Sequence, residues 1–158
     1  MAVGAALLLA LLFPQTPLQV EDYAILPPDK AAGLLHQCSR KAPKPGEGGW
    51  TPGKDDIARL EARIPGIVAL ATELSGPGTG ARGGLRDAPR GWLRQYVGIV
   101  RGGKRFIYGN FLPKASGDWG AWRTEPMIVC DGGPVFFGVE YDVEADRITE
   151  LAFNGSIA

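Results

Sequence analysis

From Leu93 onward the chain is written in a period of two. Leu93 to Val100 and Arg105 to Phe111 alternate around Gly102-Gly103, the pattern of a tight hairpin. Val135 to Asp142 shows the alternation most clearly, and Ile148 to Phe153 follows the polar turn Glu144-Ala145-Asp146. These four runs predict a four-stranded antiparallel meander. A further short strand, Met127 to Cys130, leads into a turn at Asp131-Gly132-Gly133. A sheet with an apolar face needs a second layer to cover it.

The first half of the chain supplies helices for that layer. Pro28 and Asp29 open one, with Ala31, Leu34, Leu35 and Cys38 spaced along a single face, which points Cys38 toward the core. A second begins at Thr51-Pro52, an N-cap with proline at the first helical position. Asp55 and Asp56 lie in its early turns, where negative charge suits the helix dipole. Its apolar stripe is Ile57, Leu60, Ile64, Ile67, Val68 and Ala71. Pro65-Gly66 interrupts the stripe and predicts a kink or two short helices. Residues 14–27 and 41–49 read as linker and loop, and residues 75–91 as a Gly/Pro-rich loop. The expected fold is therefore α+β: two N-terminal helices packed on one face of a four-stranded antiparallel meander, in two layers. In topology this layout resembles β-lactamase-inhibitor-like and outer-membrane assembly-factor modules, and a shared topology leaves function open.

Residues 1–13, Met1 to Phe13, carry no charge and end at Pro14. The run reads as the apolar core of an export signal, which sets residues 1–20 apart as a leader and 21–158 as one α+β domain. No Lys or Arg precedes Lys30 and no Ala-x-Ala follows Phe13, so an uncleaved anchor and an ordinary buried segment are the alternatives. The run is shorter than the ~20 apolar residues a spanning helix needs, so no stable membrane span is expected. Cys38 and Cys130 are the two cysteines. In an exported chain they predict a disulfide. Closing a loop near a hundred residues is worth roughly 4–5 kcal/mol in the chain-entropy account.

Net charge is zero but unevenly spread. Residues 75–124 hold nine basic and two acidic residues, and residues 125–158 hold one basic and seven acidic. Neighbouring strands that neutralise each other across the sheet account for this split. No uniformly basic face points to nucleic acid. His36 is the only histidine and lies roughly 160° around its helix from Cys38, so the two make a poor catalytic or metal pair. No metal site and no cofactor are expected. Gly78-Thr79-Gly80-Ala81-Arg82-Gly83 matches a dinucleotide fingerprint in letters. It follows a helix and precedes a strand, the reverse of what that motif requires. Arg82, Arg86 and Arg90 in the same loop could meet an acidic partner.

The candidate binding face comprises Tyr96, Tyr108, Phe136, Glu140 and Asp142, with Trp119 and Trp122 on the loop 113–125. Aromatics rimmed by charge compose an ordinary recognition patch. Alternatively, the tryptophan loop folds over this face as a second small core. Gly98 and Gly138 allow close approach by a ligand or by a ring of the chain itself. Glu140 and Asp142 stand about 7 Å apart along one strand face. They would be the acid and base of a hydrolase acting on envelope polymer, with Asp131 as a further candidate. Pairing with Arg94 or Arg105 is the plainer expectation. The leading functional expectation is an exported, non-enzymatic periplasmic or envelope protein that binds a protein partner as inhibitor, immunity-type protein or assembly factor. The hydrolase is one alternative, and a small-ligand carrier using the outer sheet face is the other.

Overall fold

The computed structural model describes residues 21–74, 85 and 88–155. The leader therefore lies outside the described residues, as do positions 75–84 and 86–87 of the expected loop. The strands are β1 (Tyr23–Ile25), β2 (Gly48–Trp50), β3 (Trp92–Arg101), β4 (Lys104–Pro113), β5 (Phe137–Asp142) and β6 (Arg147–Phe153). Helix α1 (Ala31–Leu35) follows a 3-10 turn at Pro28–Lys30, and α2 spans Lys54–Leu74.

This architecture overturns the two-layer expectation. The sheet is six-stranded and mixed, ordered β1-β3-β4-β5-β6, with β2 also on β3. Two strands come from stretches that read as linker and loop. β1 runs parallel to Arg94–Tyr96, and β2 runs antiparallel to Gly98–Val100, so the two share one edge of β3 end to end. Three residues are too few to show a period of two. Met127 to Cys130, by contrast, is not a strand.

The helices also lie on opposite faces. Ile57, Leu60, Ile64 and Val68 of α2 pack with Trp92, Tyr96, Ile107, Phe111, Phe137, Val139 and Tyr141. Leu34 of α1 packs with Leu26, Val97, Ile99, Phe106 and Tyr108, the side chains of the other face. Leu34 is the one fully buried residue of α1. That helix stops at Leu35 because Gln37 turns its side chain back onto the Leu34 carbonyl at 2.8 Å. Cys38 consequently lies beyond the helix, exposed, rather than pointing into the core.

Helix α2 is one element across Pro65 rather than two short helices; its buried stripe holds both halves against the same sheet face. It also starts later than Thr51. The Gly53 carbonyl accepts the first helical bond from Ile57 N (3.1 Å), while Asp56 Oδ2 accepts from Gly53 N (2.9 Å), one half of a capping box. Polar pins fix the helix to the sheet. Glu61 accepts the Tyr96 hydroxyl at 2.8 Å and pairs with Arg94 at 3.0 Å. Arg63 pairs with Asp146, which also accepts the Tyr141 hydroxyl at 2.5 Å.

Two glycines admit parts of the chain itself. A Cβ on Gly98 would stand 2.3 Å from the Trp50 carbonyl oxygen, and one on Gly138 would stand 2.5 Å from the Tyr108 hydroxyl. The first obstacle is backbone and the second is the end of a side chain. Gly98→Ala should therefore cost more, about 2–3 kcal/mol against about 1–2 for Gly138→Ala. Urea denaturation checks the order.

Burial, with Asp146 as hydroxyl acceptor, pushes the Tyr141 phenol from 10.0 up to about 12. Between those values the unfolded chain binds fewer protons than the folded one, so stability falls as pH rises. Tyr141→Phe should flatten this alkaline loss in urea melts between pH 10 and 12. Some loss should persist, because burial also raises Tyr96 well above its ordinary value. An unchanged slope would contradict the assignment.

Candidate functional site

The sheet face away from α2 carries polar side chains at its centre. Gln95 of β3 and Asn110 of β4 are direct partners in register, and both are fully buried. Asn154, just past β6, and Arg40, after α1, are nearly as buried. Buried polar groups of this kind demand partners. Here the partners belong to the irregular segment 114–136 between β4 and β5.

Gln95 donates to the carbonyls of Trp122 and Glu125 and accepts from Met127 N at 2.9 Å. Asn110 donates to Met127 O at 2.9 Å and to Gln95 Oε1 at 3.2 Å. Asn154 donates to Val129 O at 2.7 Å and Asp131 O at 2.8 Å. Three side-chain amides thus do for Trp122–Asp131 what a neighbouring strand does for a ladder. That is why Met127 to Cys130 has strand-like composition without being a strand. Arg40 joins the amides from beneath. Its guanidinium donates to Asn110 Oδ1 and Asn154 Oδ1, each at 2.5 Å, and to the Tyr108 hydroxyl at 3.1 and 3.2 Å. All these acceptors are neutral. Burial pushes the Tyr108 phenol up, against the opposing pull of the Arg40 charge.

The same segment is tied covalently. Cys38 and Cys130 form a disulfide with Cα atoms 5.2 Å apart, spanning 92 residues of sequence. It joins two exposed loops rather than helix to strand. Lys30 pairs with Glu125 at 2.8 Å, and Arg123 stacks on Trp122 at 4.3 Å while donating to the Glu21 carbonyl at 3.1 Å.

The seven residues of the expected face do not meet on one surface. Tyr96 lies under α2, whereas Tyr108, Glu140 and Asp142 occupy the opposite face; all are buried. The hairpin register, Arg101 to Lys104, pairs even positions of β3 with odd positions of β4. Tyr96 and Tyr108 are therefore separated by the sheet. Phe136 is buried beneath Trp119, their rings at 5.9 Å, and Trp122 is buried too. Where the tryptophan loop meets the sheet, the contact is through main chain, the Trp122 carbonyl accepting from Gln95.

The expected acidic pair is occupied as well. Glu140 pairs with Arg101 at 2.8 Å and accepts the Thr149 hydroxyl at 2.8 Å. Asp142 accepts the Ala145 amide at 2.8 Å inside its own turn. Glu140 and Glu150, directly opposed in register, line a cleft of about 300 Å³ with Lys41, Lys44 and Arg101. Lys41 closes on Glu150 at 3.2 Å. Arg105 pairs with Glu144 at 2.9 Å, so the basic middle and acidic end of the chain do meet across the sheet. Arg94 instead serves α2. Asp131 takes a φ of 69° and contributes its main-chain carbonyl, and His36 is exposed.

Gln95, Asn110, Asn154 and Arg40 were missed in the sequence. A signal for two of them exists: Gln95 and Asn110 interrupt otherwise apolar inward rows, and a two-residue hairpin makes them cross-strand partners. Among the described residues no helix is long and apolar enough to cross a membrane, and no group of three His, Cys, Asp or Glu could hold a metal ion. No family model, curated protein or solved structure matches the chain.

Arg40→Met should strand three buried oxygens at once, costing about 3–5 kcal/mol. Amide exchange at Met127 should accelerate even with the disulfide intact. A loss under 1 kcal/mol in urea melts would show that the guanidinium does not hold the network.

Proposed function

We propose that this chain is an exported, non-catalytic protein that binds a protein partner, with segment 114–136 as the recognition element. The carrying observation is how firmly that irregular segment is held. Buried amides fix it from below and a disulfide fixes it from the side. A loop ordered in advance gives up little conformational entropy on binding, which favours affinity. Functional residues commonly sit on loops positioned by a rigid scaffold.

The composition of the segment supports this reading. Ile128 is 43% exposed although both neighbouring residues are engaged with buried amides. Trp119 is half-buried and Arg123 is exposed, and Trp and Arg are enriched among residues that dominate interface energetics. The disulfide is compatible with an oxidising compartment, and the apolar leader supports export.

Affinity capture from the envelope fraction of the native host tests the proposal. The wild-type chain should retain a specific protein. Ile128→Lys and Trp119→Ala should lose it at least tenfold with their circular dichroism melts still cooperative, and Lys104→Ala should retain it. Equal retention by all four chains, or retention of nothing by wild type, would overturn the reading.

A further inference from the structure

A cleft of about 610 Å³ opens at the end of the sheet where β3 begins and β4 finishes. Its lining is Arg90, Gly91, Trp92, Pro113, Ala115, Ser116 and Val135. We propose that it is a binding site for a small molecule with an aromatic ring and a carboxylate. This site differs in ligand from the macromolecular reading above and stands without it.

The walls are built before any ligand arrives. Trp92 and Pro113 are direct partners in register. The Trp92 indole N–H donates to Val135 O at 2.8 Å, and its ring meets Phe137 edge-on at 6.0 Å. Its one polar atom is thereby spent inside the protein, so the part of Trp92 that lines the cleft adds no free donor. Trp119 likewise donates its indole N–H to Pro113 O at 3.1 Å, and Lys114 N closes onto Gly91 O at 3.0 Å. The volume falls in the range of about 300–1,000 Å³ usual for small-molecule sites.

Charge then selects the ligand. Two other cations among the described residues are already committed: Lys114 pairs with Asp22, and Arg94 pairs with Glu61 while donating to Pro89 O. Arg90 is exposed, and among the described residues it has no ion-pair partner and no carboxylate lines the cleft. The Arg90 guanidinium fork and the Ser116 hydroxyl line the same cleft, and donors of these two kinds suit a planar carboxylate. Trp92, Pro113 and Val135 suit the flat apolar body attached to it.

The test titrates 2-naphthoate and its neutral counterpart 2-naphthamide into the full, disulfide-bonded chain and follows the amide resonances of Gly91, Ala115 and Ser116. Naphthoate should shift all three and bind about three- to fivefold more tightly than naphthamide, the span expected of one exposed charge pair. Arg90→Gln should remove that preference and leave naphthamide binding unchanged. Ala115→Trp, at an exposed position, should fill the cleft and abolish both. Three results would each overturn the proposal: no shift at these amides, an undiminished preference in Arg90→Gln, or unimpaired binding in Ala115→Trp.

Discussion

The structure depends on the bonds that Gln95, Asn110 and Asn154 make to the main chain of Trp122–Asp131. A main chain without regular structure carries carbonyls and amides that must be satisfied wherever it is buried. Laid across a purely apolar sheet face, this stretch would bury them unpaired, at about 1–3 kcal/mol each. The amides remove that penalty by using both ends of every side chain. Gln95, for instance, offers its N–H groups to Trp122 and Glu125 and its oxygen to Met127 and Asn110. Arg40 then fills the remaining oxygens of Asn110 and Asn154. The network is closed, so its parts stand or fall together.

The disulfide acts on the same two stretches by a different mechanism. It shortens the reach of the unfolded chain between positions 38 and 130, whereas the amides lower the energy of the folded one. Around it, Ser39 accepts Gly155 N at 3.0 Å and Gly155 accepts Gly133 N at 3.0 Å, so the end of β6 is drawn into the same knot. Gly138 fits this arrangement: only a residue without a Cβ leaves room on β5 for the Tyr108 hydroxyl and the Arg40 guanidinium. One side of the sheet is thus a platform whose upper layer is main chain rather than helix.

Much of the sheet was legible, and what was not has identifiable causes. The ranges expected for β3 to β6 lie within one or two residues of those observed, because long alternating runs and two turns define them. β1 and β2 are held by their place along one edge of β3, a tertiary property that three residues cannot encode. The disulfide followed from cysteine count and inferred export, although the orientation assigned to Cys38 failed when α1 proved short. Grouping Tyr96 with Tyr108 failed for a simpler reason. The turn at Gly102-Gly103 already fixes which positions face each other, and the parity places those two tyrosines on opposite sides.

That parity also carries the three-layer arrangement. Once even positions of β3 share a face with odd positions of β4, one side of the hairpin presents Trp92, Tyr96, Ile107 and Phe111. The other presents Val97, Ile99, Phe106 and Tyr108. Both rows are apolar, and a sheet apolar on both sides cannot leave either to water. Helix α2, with its long stripe, suffices for one side. The five residues of α1 bury only Leu34 and cannot span the other. The uncovered part of that side must be closed by chain with no helix of its own, and such chain brings unpaired carbonyls with it. Gln95 and Asn110, set into otherwise apolar rows at matched positions, answer that need, so the placement of two polar residues follows from the shortness of one helix.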